Sequence, residues 1–369
     1  MFVFKGVDKI FLSIVITLAV VGFLVFASAA LGILGTGQFD VRAVIWKQFV
    51  IGIVGGFTVL TIMTAIHYRL WRTYAYWFFG FTVLLALLTF TPLGREYNGA
   101  LRWIELAGQS FQPAETLKIG YVLALAAWFS KKRAVINEWR QGLLPLALFT
   151  LPVALIMILQ RDTDGLVVML SGAGAIFFAT GVTWRHVGAV LLVGMLGVAA
   201  IVASHADLRA RVMQKFYGDE ETVRDIGWQE RQSLIAIGSG GVTGRGYGQS
   251  IQKFGNLPLA QSDAIFAVFA EETGFVGTLS FIILVYVFFM LRGFRIASHA
   301  KDVFGTLAVV GIMTMLMMQI SINIAALTAI IPFAGLTLPF VSQGGTSLIV
   351  VLATMGFVLS VSKHMRAVR

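Results

Sequence analysis

The sequence predicts an all-α polytopic membrane protein with about ten transmembrane helices and one large polar loop between the seventh and eighth spans. Three observations predict it. Of its 369 residues, 58% are hydrophobic and only 12% are charged, and that charged share is far below the usual share of a soluble domain. The mean hydropathy is +0.85. Apolar runs long enough to cross a bilayer recur from one end to the other, and they do not alternate as barrel strands would. Helices satisfy their own backbone groups in hydrocarbon, so they are the spanning element.

The spans fall at about 10–34, 46–66, 74–93, 114–130, 143–159, 165–182, 187–204, 264–291, 303–326 and 346–362. The first run, Ile10 to Leu34, is too long for the core of a signal peptide and has no clear cleavage pattern, so it is read as a retained span. Residues 1–369 then form a single integral-membrane domain, with 205–263 as its large extracytoplasmic loop. Lysine and arginine set the orientation. With the N-terminus inside, fifteen of the 28 fall in cytoplasmic segments, six in the short outer loops and seven in 205–263. That bias puts both termini in the cytoplasm. No inverted repeat of the transporter kind is visible.

Composition also excludes some chemistry. The chain has no cysteine and five scattered histidines, which leaves no thiol nucleophile, disulfide or His-rich metal site. The net charge of +10 resides mostly in short loops rather than on a soluble basic face, so no nucleic-acid partner is expected.

This topology places almost every polar or glycine-dense stretch on the outer side. The first is Asn98 to Ile104, followed by Gln112-Pro113-Ala114-Glu115-Thr116-Leu117-Lys118. Pro113 suits the first turn of a helix. Glu115 and Lys118 then share one face of the fourth span near its outer end. They form either an ion pair locking two helices or the polar wall of a cavity, with Arg102 or Lys118 open to a phosphate. Trp103 reads as an interfacial anchor. The turn Gln160-Arg161-Asp162-Thr163-Asp164-Gly165 carries two carboxylates; they cap the sixth span or bind a cation or sugar hydroxyl.

The long loop opens with a basic amphipathic stretch, Asp207 to Lys215, suited to a membrane surface. It continues through Gln232 and Ser233 to a glycine-dense run reaching Arg245, Ser250 and Lys253. Such a run is either a flexible surface loop or a nest of backbone N–H groups for a diphosphate. Asp263 follows at the mouth of the eighth span, as a helix cap or a reactive acid. Glu271 and Glu272 lie two turns deeper. A carboxylate within a span is a functional candidate, but adjacent positions point to different faces, so one of the two is read as structural. Finally, Pro332 to Ser347 holds two prolines, Ser342, Gln343 and three glycines, consistent with a broken segment lining a cavity.

Taken together, these stretches resemble the SEDS family (shape, elongation, division and sporulation). The resemblance rests on Arg102-Trp103-Ile104 with Gln112-Pro113 to Lys118, on Gln232-Ser233 to Gly241, and on Asp263 to Glu272. Leu338-Pro339 with Ser342, Gly344 and Gly345 completes it. The run Gly246 to Pro258 and the stretch Gly335 to Pro339 are nearer FtsW-like than RodA-like members. Ser262 and Ala264 around the central acid, Leu259, Arg161 and Gln343 depart from the family pattern.

The resemblance implies a peptidoglycan glycosyltransferase that polymerises lipid II on the outer face of a bacterial inner membrane, for division or elongation. It implies Asp263 as general base in an inverting transfer, with Arg102, Lys118, Arg245 and Lys253 receiving the diphosphate. Gln232, Ser233, Ser250, Ser342 and Gln343 join them as substrate contacts. A divalent cation, Mg or Mn, could be held by Asp162 or Glu115. Expected partners are a class B penicillin-binding transpeptidase and other divisome or elongasome membrane proteins. The competing readings are a lipid II flippase and a silent divisome scaffold. The blandness of the cytoplasmic loops favours the enzyme over the flippase.

Overall fold

The computed structural model describes residues 2–35, 40–97, 100–106, 109–204, 209, 213, 227–332 and 334–365. The expected membrane-surface stretch from Asp207 to Lys215 lies outside them, apart from Arg209 and Met213.

Several helices begin where the sequence supplies a cap. Asp8 accepts from the Phe11 amide at 2.9 Å and starts α1, Lys9–Ala30. Asp40 caps α2, Val41–Ala65, whose middle widens into a π-helical stretch, Gln48–Gly55. His67 caps α3, Tyr68–Leu87. Pro113 opens α4, Pro113–Lys132, as the sequence predicts. The helices α5 (Leu143–Leu159), α6 (Thr163–Ala179), α7 (Trp184–Ser204) and α8 (Trp228–Ser239) follow. After them come α9 (Ile265–Ser280), a second π stretch, α10 (Phe288–Ser298), α11 (Val303–Leu327) and α12 (Gly345–Ser362).

Five segments are long and apolar enough to cross a membrane: Lys9–Leu34, Val41–Ala65, Tyr68–Phe90, Val303–Leu327 and Gly345–Ser362. The pair from Ile265–Ser280 to Val285–Ser298, bent by 49°, makes a sixth. The helices α5, α6 and the first part of α7 are apolar but shorter. The chain is therefore a multi-pass membrane protein. Its outer faces agree: Trp77, Leu151, Leu155, Trp184 and Val193 are all exposed, as lipid-facing side chains are and a soluble surface is not.

The centre of the bundle is α4, α11 and α12. Two-thirds (67%) of the apolar window of α11 and of α12 is buried, against 22% for α3. Small residues let these helices approach, as between membrane helices generally. A Cβ on Gly120 of α4 would fall 2.4 Å from Thr82 Oγ1 of α3, and one on Gly356 of α12 would fall 2.5 Å from Leu60 O of α2.

One expectation needs correction: the fold is not all-α. Gly94–Tyr97, Ala100–Leu106 and Gln109–Phe111 form a three-stranded antiparallel sheet, β1-β2-β3. Gly94 pairs with Ile104, and Ile104 with Phe111. The stretch is too polar to span, and its backbone groups pair across a hairpin instead. Arg95 and Glu105 bridge the strands at 3.0 Å, and Ile104 is turned inward.

At the other end of the bundle the two termini meet. The Asp8 amide donates to Ser362 Oγ at 3.1 Å, and Arg292 pairs with Asp8 at 2.8 Å. Arg69 pairs with Asp302, the cap of α11, at that same end.

Candidate active site

The sheet, α2, the starts of α4 and α6, α8 and two irregular loops (257–264 and 334–344) enclose one cavity of about 1380 Å³. That exceeds the 300–1,000 Å³ or so of a small-ligand pocket, and it suits a bulky substrate. Its charged lining comprises Asp40, Lys47, Arg102, Glu115, Lys118, Asp162, Asp164, Glu230, Arg231 and Asp263.

Asp263 stands where the loop turns into α9. It does not cap that helix: Ala264 occupies the cap position, with no side-chain hydrogen bond. The loop before it is held by its carbonyls. Gln261 O accepts from the Gln343 amide at 2.8 Å, Ser262 O from Ser342 Oγ at 2.7 Å, and Asp263 O from Asn323 Nδ2 at 2.9 Å. Three consecutive carbonyls are thus tied to α11 and to the loop 334–344. Across the cavity wall, a Cβ at Gly335 would lie 3.5 Å from Asp263 Oδ2. Burial pushes the Asp263 carboxyl up to about 6; Arg102 and the Ser262 hydroxyl pull it down, and Asp164 pushes it further up. A carboxyl poised there is suited to proton transfer near neutral pH.

The other acids of the cavity are committed. Arg102 bridges to Asp162 at 3.4 Å and donates to the Arg161 carbonyl. Asp162 also caps α6 through the Gly165 amide at 3.1 Å. Glu115 and Lys118 pair at 2.8 Å, and Lys118 donates to Gln319 Oε1 at 3.0 Å. Asp164 accepts from the Gly335 amide at 3.2 Å. The Glu115–Lys118 pair is thus an ion pair within α4, not between helices, and it also lines the cavity. Among the described residues no three His, Cys, Asp or Glu side chains gather into a metal-ligand group. Asp162 and Glu115, the carboxylates the sequence offers for a divalent cation, each face a cationic side chain, so they do not form a protein-only cation site.

The glycine-dense loop is a different object from the expected diphosphate cradle. Arg245, Ser250 and Lys253 lie away from the cavity lining and bind the two glutamates of α9. Ser250 Oγ donates to Glu271 at 2.5 Å, the Ile251 amide to Glu271 at 3.0 Å, and Arg245 bridges Glu271 at 3.3 Å. Lys253, fully buried, bridges Glu272 at 2.7 Å, and Ser28 of α1 donates to the same carboxylate. The physical cause is a break in α9. Gly274 takes φ 68° and ψ −173°, a conformation almost confined to glycine. The orphaned backbone groups pair with the loop instead: the Arg245 and Gly246 amides donate to Glu271 O and Glu272 O, and the Phe275 and Val276 amides to Gly241 O and Val242 O. Glu271 and Glu272 both anchor this loop: Arg245 pairs with the first and Lys253 with the second, and Ser250 donates to both.

Gln232 and Ser233 are buried on α8 and are not part of the cavity lining; the Ser233 hydroxyl donates to the Gln229 carbonyl. Ser342 is one step removed, acting through the Ser262 carbonyl, whereas Gln343 lines the cavity, as does Trp103. Two cations were not singled out by the sequence, Lys47 and Arg231. Both are exposed in the cavity, and neither forms an ion pair among the described residues. A signal existed for the first: Asp40, Ala43, Val44, Lys47, Gln48 and Ile51 all line the cavity and recur with helical period along one face of α2.

A helical membrane bundle with a large charged cavity at one end, lined by Asp263 among other acids, defines the class: an integral-membrane protein with a deep polar cavity. The chain belongs to the FtsW/RodA/SpoVE family, described as cell cycle proteins, whose pattern matches residues 8–367. It is 33% identical over 362 residues to a probable peptidoglycan glycosyltransferase FtsW of Geobacter sulfurreducens, covering 97% of this chain and 96% of that one. It is 35% identical over 317 residues to stage V sporulation protein E of Bacillus subtilis, covering 86% and 85%. Its fold resembles the rod shape determining protein RodA of Thermus thermophilus, with a TM-score of 0.70 and 29% identity, covering 97% of each chain. It also resembles a chain from a structure of a peptidoglycan synthase complex that coordinates polymerization and crosslinking, with a TM-score of 0.77 and 29% identity, covering 97% of this chain and 98% of that one.

Proposed function

We propose that this protein polymerises lipid II into glycan strands, with Asp263 as general base. The observation that carries the reading is Asp263 itself: a carboxyl held up to about 6, pinned by its backbone, at the edge of a cavity large enough for lipid-linked sugars. Its carboxylate takes the proton from the 4-hydroxyl of the acceptor sugar. That oxygen attacks the anomeric carbon of the donor, and the bond from that carbon to the lipid diphosphate breaks on the opposite face. The new glycosidic bond has inverted configuration, and the diphosphate leaves with the electron pair.

The leaving charge needs cations. Lys47 and Arg231 are available without breaking an ion pair, and Arg102 and Lys118 would exchange a carboxylate for a phosphate. Arg245 and Lys253 serve the fold instead.

The ten helical passes α1 to α7, α9 with α10, α11 and α12 carry the chain across the membrane, with both termini cytoplasmic and the cavity facing outward. Support comes from the lysine and arginine count and from the contact of the two termini at the end opposite the cavity. A class B penicillin-binding transpeptidase is the proposed partner, in keeping with the synthase complex that the fold resembles.

The test is incubation of purified protein with labelled lipid II, with and without the cognate transpeptidase, and separation of products on a gel. Long glycan chains that disappear in Asp263→Asn support the reading. Transbilayer movement of lipid II without polymer would replace it with transport.

A further inference from the structure

Asn323 belongs to no motif read from the sequence and does not line the cavity. It is fully buried on α11. Its Nδ2 donates to two main-chain carbonyls, Asp263 O at 2.9 Å and Leu336 O at 2.6 Å. An amide nitrogen carries two hydrogens, and two facing carbonyls need two donors. The chemistry thus fixes which end of the amide points at them. Its oxygen, Oδ1, is buried and finds no partner in the described structure, an expensive state for a polar atom. Burial of an unpaired acceptor is offset here because the other end of the group extends to Asp263 itself the ties that Gln343 and Ser342 make to Gln261 and Ser262.

Those segments are the two irregular loops on either side of the reacting acid. One ends in Asp263. The other presents Gly335, whose amide holds Asp164 and whose missing side chain leaves room beside Asp263 Oδ2. We propose that Asn323 is a positioning residue for the transfer reaction: it locks the backbone of Asp263 to that of Leu336, and so sets where the carboxylate meets the acceptor hydroxyl. The inference rests on Asp263 acting as the base. No other common side chain replaces Asn323. Asp lacks the two donors, Ser has one, and Gln reaches one methylene further. Gln319, one turn earlier on the same helix, makes a parallel tie from Lys118 to the Thr337 carbonyl, so α11 holds both walls of the cavity by amide side chains.

The experiment is steady-state polymerisation of lipid II by purified Asn323→Ala, Asn323→Gln, Asp263→Asn and unaltered protein across pH 5–9, with thermal unfolding measured on each. Expected for Asn323→Ala is a kcat about 100-fold lower per folded molecule, the scale of an ångström misplacement of a reacting group, with KM within about threefold. Its acid limb should also move, since Arg102 from the sheet and Asp164 from α6 are the charged groups facing Asp263 and their distances to it change. Asn323→Gln keeps both donors and should regain part of the rate. A purely structural role predicts lower folded yield with kcat, KM and pH profile unchanged per folded molecule, and that result overturns the proposal. So does an Asn323→Gln protein with unaltered kcat, or failure of both variants to fold. If Asp263→Asn itself keeps the activity, the base assignment is what has failed, and the positioning role falls with it.

Discussion

Replacing Asp263 with Asn isolates the proton-transfer step. The substitution is isosteric, and the bonds that hold this loop run to the main-chain carbonyls of Gln261, Ser262 and Asp263, which are left in place. It also removes a negative charge that Arg102 attracts and Asp164 repels, so the two electrostatic changes oppose each other. What disappears is the group that accepts the hydroxyl proton. A positioned general base contributes about 10²–10⁴ in rate, or about 3–5.5 kcal/mol of barrier, and kcat should drop by that factor with KM little changed. The unaltered protein gives the matching pH signature. An acid whose carboxyl is held up to about 6 is mostly ionised at pH 7 and only about one-tenth ionised at pH 5. Turnover should therefore fall as pH drops through 6, approaching tenfold per unit below it, and level off above. The assay is initial rate of glycan formation from labelled lipid II between pH 5 and 9. A variant retaining more than a tenth of the rate, or an unaltered protein with a flat profile from pH 5 to 7, would show that Asp263 is not the base.

Further perturbations separate the binding residues from the structural ones. Lys47→Gln and Arg231→Gln should each raise KM for lipid II several-fold and weaken binding of undecaprenyl diphosphate, measured by direct titration, without moving the acid limb near 6; unchanged affinity would remove them from the site. Lys253→Met should lower stability by about 3–5 kcal/mol, because it leaves a buried Glu272 unpaired. Lys253→Met with Glu272→Gln should be milder in thermal unfolding, and a double variant worse than the single one would count against a structural pair. Gly274→Ala should cost about 1–3 kcal/mol for its backbone conformation alone, with more from a Cβ placed 2.2 Å from the Gly244 amide nitrogen. It should show as lost thermal stability and reduced yield.

Much of the fold is decided by local chemistry and is legible residue by residue. Asp8, Asp40 and Asp302 cap helices where an acid precedes an apolar run, and Pro113 starts α4. Glu115 and Lys118 meet because three residues is one helical turn. Asp263 was singled out by the order of the motifs around it, since an acid before an apolar helix recurs at Asp8, Asp40 and Asp302. The sheet at 94–111 was missed because its strands are short and lie between spans, where polarity alone is read as loop.

What the sequence by itself determined is the membrane class, the largely helical build and the starts of several helices, since hydropathy, capping and helical period are short-range properties. Only the tertiary structure decided which charges serve which site. Arg245 and Lys253 look like phosphate ligands in sequence, yet a broken helix further along the chain supplies the carboxylates that claim them. Lys47, Arg231 and Asn323 reach the cavity or its walls from α2, α8 and α11. The reason is physical: a buried charge goes to whichever opposite charge the packing brings within reach, and that distance is set by how helices far apart in sequence come together.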